Sequence, residues 1–134
     1  MIGSLNHVAI AVPDLNSSIQ TYQNLLGASV SDKVEQIEHG VTVAFIDLPN
    51  TKIELITPLG HDSPINNFLK KNPNGGIHHI CYGVENIHKS QRILVKAGAK
   101  LVGDGKPKLG AHGKLVIFLH PKDFNGTLIE LEEI

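Results

Sequence analysis

Two short apolar stretches of this chain alternate in the same way. Over residues 5–12, His7, Ala9 and Ala11 fall on one face and Val8, Ile10 and Val12 on the other; over 77–84, His79, Cys81 and Gly83 share one face. In both, a histidine is followed along its face by small residues, which leaves room beside the imidazole. Each stretch reads as a strand and is followed by helical spacing. Leu15, Ile19, Tyr22, Leu25 and Leu26 recur until Gly27, with Asp14 or Asn16 able to cap; Ile87, Ile93, Leu94 and Ala97 recur until Gly98. Further strands are predicted over 30–34, 41–48 and 52–56, and again over 100–102, 114–120 and 127–131, with a polar segment over 35–40.

The pattern is a duplication. His7 and His79 lie 72 residues apart, Gly27 and Gly98 lie 71 apart, His39 and His112 lie 73 apart, and Glu54 and Glu130 lie 76 apart. A chance match at one landmark fails at the next, and these do not fail. Each copy runs strand, helix, then strands closing on Ile-Glu-Leu. The chain therefore divides into a first module at about 4–58, a linker at about 59–75 and a second module at about 76–134, all within one domain. Ser63-Pro64 opens a short helix through Ile65, Phe68 and Leu69 in the linker. The segment 103–113, rich in glycine and lysine, is the least regular and reads as a mobile loop over a site.

Composition narrows the partners. At 134 residues the chain can build one shared core and not two independent ones. With 12 basic and 13 acidic residues and a net charge of −1, nothing attracts it to nucleic acid or to an anionic membrane. The lone Cys81 excludes an internal disulfide, and no membrane-length apolar run or signal-peptide pattern is present, so a cytoplasmic setting is expected.

His7, Glu54, His79 and Glu130 form a set because the repeat relates them in pairs. Two imidazoles and two carboxylates suit a divalent metal and leave open positions for substrate oxygens, where the ion would act as a Lewis acid. Taken singly, each has a plainer reading: a histidine on a strand as a hydrogen-bonded boundary residue, a glutamate at a strand end as a solvated charge. His78 points to the face opposite His79, and Cys81 reads as a small apolar filler. Asp47, Asp123, Glu132 and Glu133 read as solvated charges. His39 and His112, at matching loop positions, are either acid/base groups or turn residues.

Six segments in order, residues 6–15, 50–55, 62–65, 76–81, 110–114 and 118–123, resemble the vicinal oxygen chelate superfamily and, within it, the methylmalonyl-CoA epimerases. The resemblance implies an α+β fold in which two tandem βαβββ modules form an open, metal-enclosing mixed β-sheet barrel. It implies one divalent ion, cobalt, nickel, manganese, magnesium or zinc, on His7, Glu54, His79 and Glu130. The implied reaction is a 1,1-proton transfer on an acyl-CoA, with Glu130 as base as well as ligand. Two departures matter: some epimerases carry glutamine where this chain has Glu54, and some carry a second catalytic glutamate where it has Val43. His112 is then the candidate for the second acid/base. The ligand set is also similar to that of nickel-type glyoxalase I, which acts on the glutathione–methylglyoxal hemithioacetal, and a non-catalytic ligand-binding protein of the superfamily is a third reading. Lys106, Lys108 and Lys114 can meet the phosphates of a CoA tail or simply face water. A homodimer is expected.

Overall fold

Leu15 follows Asp14, whose carboxylate accepts a hydrogen bond from the Ser17 amide at 3.0 Å, and the first helix starts there for that reason. In a computed structural model describing residues 1–134, it forms α1, Leu15–Leu26, closed by Gly27 in the left-handed conformation at φ 63°. The strand before it is β1, Ile2–Ala11. After α1 come β2, Val34–Gln36; a 3-10 turn, Ile37–His39; β3, Val41–Asp47; β4, Lys52–Pro58; and α2, Ile65–Lys71. The second half supplies β5, Gly76–Val84; α3, Ile87–Lys96; β6, Lys108–Leu109; β7, Leu115–Leu119; and β8, Ile129–Glu133. The eight strands are hydrogen-bonded in the order β2-β3-β4-β1-β5-β8-β7-β6, a mixed sheet.

The chain divides into two compact units, and β1 and β5 each run from one into the other. The unit Val8–His78 holds α1, β2, β3, β4 and α2. β3 pairs antiparallel with β4 and sets Phe45 opposite Glu54. Its core joins Val12 and Leu15 to Ala44, Ile46 and Leu55, with Ile19 and Tyr22 packed against them. Leu25 and Leu26 keep the helical spacing but are exposed, in the last turn of α1 before Gly27. The strand expected over 30–34 is reduced to a bridge between Val30 and Ile46, and β2 forms later, on Val34, Glu35 and Gln36. Its polar side chains are tolerated because this edge of the sheet faces water.

The unit made of Met1–His7 and His79–Ile134 holds α3 and β6 to β8. β5 runs parallel to β8, and β7 pairs antiparallel with β8, setting Phe118 opposite Glu130. The core here is Val84, Ile87, Ile117, Leu119, Ile129 and Leu131, with Leu94 and Leu101 against it. The strand expected over 100–102 is a single bridge, Leu101 to Leu119. Within the irregular segment, Lys108 and Leu109 pair with Val116 and Leu115. Glycine is required where β5 begins: at Gly75, φ 88°, a Cβ would stand 2.4 Å from the Ala11 carbonyl oxygen, inside the Val8–His78 unit.

Candidate metal centre

Strand alternation delivers the imidazoles to buried faces. His7 is followed by Ala9 and Ala11, His79 by Cys81 and Gly83, and all six residues are buried. Small neighbours leave the rings room to meet: His7 Nε2 lies 3.3 Å from His79 Nε2. Glu130 Oε2 completes the group at 3.1 Å from His7 Nε2 and 3.0 Å from His79 Nε2. The edge of Phe118 packs against the His79 ring, with centroids 5.3 Å apart.

These three donors fit a cation. Glu130 Oε2 is fully buried yet takes no aligned hydrogen bond, and such a group costs roughly 1–3 kcal/mol unless something compensates it. Ligands about 2.1 Å from a metal and at right angles to one another are about 3.0 Å apart, which matches the separations of 3.0, 3.1 and 3.3 Å. Burial alone would raise the Glu130 pKa, but the imidazoles of His7 and His79 outweigh it and hold the carboxyl well below the usual carboxylate range. That shift favours the carboxylate form, which a ligand or a base needs.

Around this triangle lies a polar layer that alternation from Glu130 points to, since Glu132 shares its face. Glu132 is not a solvated charge: it is 5% exposed. Its carboxylate accepts from Asn6 Nδ2 at 3.1 Å and from His112 Nδ1 at 3.1 Å to each oxygen. Asn6 Oδ1 in turn meets His7 Nδ1 at 2.9 Å. Asn6 had no sequence signal, because neighbours on a strand ordinarily face apart. His112, its side chain 28% exposed, brings its ring centroid to 6.4 Å from that of His7. Glu133 is also committed, its Oε2 accepting from the Ile87 amide at 2.9 Å and so capping α3 together with Asn86, which accepts from the Lys89 amide at 2.8 Å. Cys81 is completely buried and lies with His7 and Glu132 in one group of donors within 4.8 Å.

The other candidates fall in different places. Glu54 is buried in the middle of β4, in the Val8–His78 unit, across the ladder from Phe45 as Glu130 is across from Phe118. His78 turns away from the His79 face and stacks edge-on against Phe68 at 5.1 Å. His39 ends the 3-10 turn before Gly40. Asp47 and Asp123 are exposed as expected, Asp123 accepting from the Lys100 amide at 2.8 Å. Lys108 lies 3.9 Å from Asp104 on the surface, the contact of a solvated loop.

The chain belongs to the Glyoxalase/Bleomycin resistance protein/Dioxygenase superfamily, which it matches over residues 6–118. It is 63% identical to the ethylmalonyl-CoA/methylmalonyl-CoA epimerase of Cereibacter sphaeroides, over 100% of both chains. The crystal structure of methylmalonyl-CoA epimerase from Mycobacterium tuberculosis superposes with a TM-score of 0.90 at 33% identity, covering 98% of this chain and 88% of that one. A methylmalonyl-CoA epimerase in complex with methylmalonyl-CoA and ammonium superposes with a TM-score of 0.89 at 29% identity, covering 99% and 95%.

Proposed function

We propose that the chain interconverts the two epimers of methylmalonyl-CoA by removing and returning one proton at the carbon between the thioester and the carboxylate. The observation that carries this reading is the buried Glu130 carboxylate held against two imidazoles, in a chain that matches an epimerase of this substrate from end to end. His7, His79 and Glu130 would hold a divalent ion. Glu54 is assigned as the fourth ligand on the strength of the repeat, its burial and its register opposite Phe45. An ion there supplies Lewis-acid stabilisation for the negative charge that spreads onto the thioester oxygen when the α C–H bond is broken.

The residues do the proton chemistry. Epimerisation needs a group on each face of the carbon, one to take the proton and one to return it. Glu130 takes the first role: its carboxylate oxygen accepts the α-proton while the electron pair delocalises into the thioester. His112 takes the second, beside His7 and partly open to solvent, and delivers a proton to the opposite face. Run in reverse, the two exchange roles. We assign a homodimer, for which the exposed apolar Leu25, Leu26 and Ile37 provide surface, and a cytoplasmic setting, which a single buried cysteine suits.

Deuterium incorporation at the α-carbon of methylmalonyl-CoA in D2O, followed by mass spectrometry, tests the reading with metal-stripped protein and then with cobalt, nickel, manganese, magnesium or zinc restored. Exchange that requires a metal and disappears in Glu130→Gln supports it and ranks the ions. Absence of exchange with every ion refutes it and directs the assay to the glutathione–methylglyoxal hemithioacetal.

A further inference from the structure

We infer that Glu132 is a positioning residue that sets the tautomers of two histidines at once: His7, a ligand, through Asn6, and His112, the second acid/base, directly. The inference rests on the metal-binding reading above and adds residues to it.

The argument is one of donors and acceptors. An ionised carboxylate can only accept hydrogen bonds. Glu132 Oε1, 3.1 Å from the Asn6 side chain, therefore requires the amide nitrogen of Asn6 on its side. That orientation leaves the Asn6 carbonyl oxygen facing His7 Nδ1 at 2.9 Å, and an oxygen there requires the proton on Nδ1. With Nδ1 protonated, Nε2, the atom 3.3 Å from His79 Nε2 and 3.1 Å from Glu130 Oε2, is the nitrogen left to give up its proton and bind an ion. The same rule applies on the other side: both Glu132 oxygens lie 3.1 Å from His112 Nδ1, so that nitrogen keeps a proton and Nε2 is the ring atom left to give or take one. Because Glu132 is 5% exposed, water competes weakly for these bonds. A ligating imidazole held through its second nitrogen in this way keeps ring orientation and basicity, and losing such a partner typically costs about 10–100-fold in metal affinity.

The test is a cobalt(II) titration followed by d–d absorption, on the metal-stripped wild type, Asn6→Ala, Glu132→Leu and the exchanged pair Asn6→Asp with Glu132→Gln. In the exchanged pair the glutamine amide donates to Asp and accepts from His112, so both tautomers are kept with the donor and acceptor reversed. Cobalt affinity is expected to fall about 10–100-fold in Asn6→Ala and Glu132→Leu, and to return to within a few-fold of wild type in the exchanged pair. Thermal melting of the metal-free proteins separates a loss of ligand orientation from a loss of fold. Nitrogen-15 imidazole spectra of the zinc-loaded proteins report the tautomers directly: an Nδ1–H signal from His112 in wild type, replaced by a tautomer mixture in Glu132→Leu. Wild-type cobalt affinity in Asn6→Ala, or an exchanged pair as weak as the single variants, overturns the inference, as does a His112 spectrum unchanged in Glu132→Leu. Absence of cobalt binding by the wild type itself refutes the metal reading, and the inference with it.

Discussion

The last strands of the two copies, β4 and β8, start alike and end differently. Glu54-Leu55 and Glu130-Leu131 place a buried glutamate and a buried leucine at equivalent positions, each glutamate facing a phenylalanine across an antiparallel ladder. Two residues beyond the glutamate, β4 has Ile56, 2% exposed, whereas β8 has Glu132, 5% exposed and hydrogen-bonded to Asn6 and His112. One residue further, β4 has Thr57 and β8 has Glu133, which caps α3. The duplication kept the residues assigned as ligands in both halves. The carboxylate that holds Asn6 beside His7 comes from the second half, while the same position in the first is a buried isoleucine.

The sharpest way to break this comparison is to treat the two glutamates alike. Glu130→Gln is expected to lower α-deuterium exchange by about 10²–10⁴-fold because it removes the proposed base, while Glu54→Gln, which removes only the charge of a proposed ligand, is expected to cost about tenfold in metal affinity and to retain exchange at saturating metal. Equal losses of exchange would erase the distinction between the two copies. Next come the leucines: Leu55→Ala and Leu131→Ala, both at 1% exposure or less, are each expected to lower stability by about 2–5 kcal/mol in urea unfolding, and a large inequality would show that one core dominates. Ile56→Gln is expected to cost about 1–3 kcal/mol by burying an amide without partners; a neutral result would mean the first half can also accommodate a polar group there. The smallest effect sits at the helix starts. Asp14→Ala removes the side-chain cap of α1 for about 1 kcal/mol, while Glu133→Ala leaves Asn86 capping α3 and is expected to cost less, both read from melting temperature.

Much of this was legible in advance, and for identifiable reasons. Alternation put His7 and His79 on faces lined by small residues, and both rings are buried where that pattern placed them. Asp14 and Gly27 bounded α1 because capping is a local interaction. The less legible parts depend on partners distant in sequence. Glu132 looked like one of three terminal carboxylates in a run, and nothing nearby in the chain says that Asn6, 126 residues away, will hold it. Leu25 and Leu26 kept the helical period yet are exposed, since periodicity marks a face and not what packs against it. Likewise the edge segments around Val30 and Leu101 are bridges and not strands, since an edge pairs only as far as its neighbour offers a register.

By itself, then, the amino-acid order determined the duplication, the alternation that buries two histidines, the helix boundaries and the glutamate that ends each copy, because all of these follow from spacing and local backbone chemistry. Only the tertiary structure decided which buried oxygen meets which nitrogen: that Glu130 Oε2 lies within 3.1 Å of both imidazoles, and that Glu132 is held between Asn6 and His112. Hydrogen bonds and ligand contacts form over about 3 Å and are directional, so they depend on where strands far apart in sequence come to rest, a distance and an angle that no local pattern encodes.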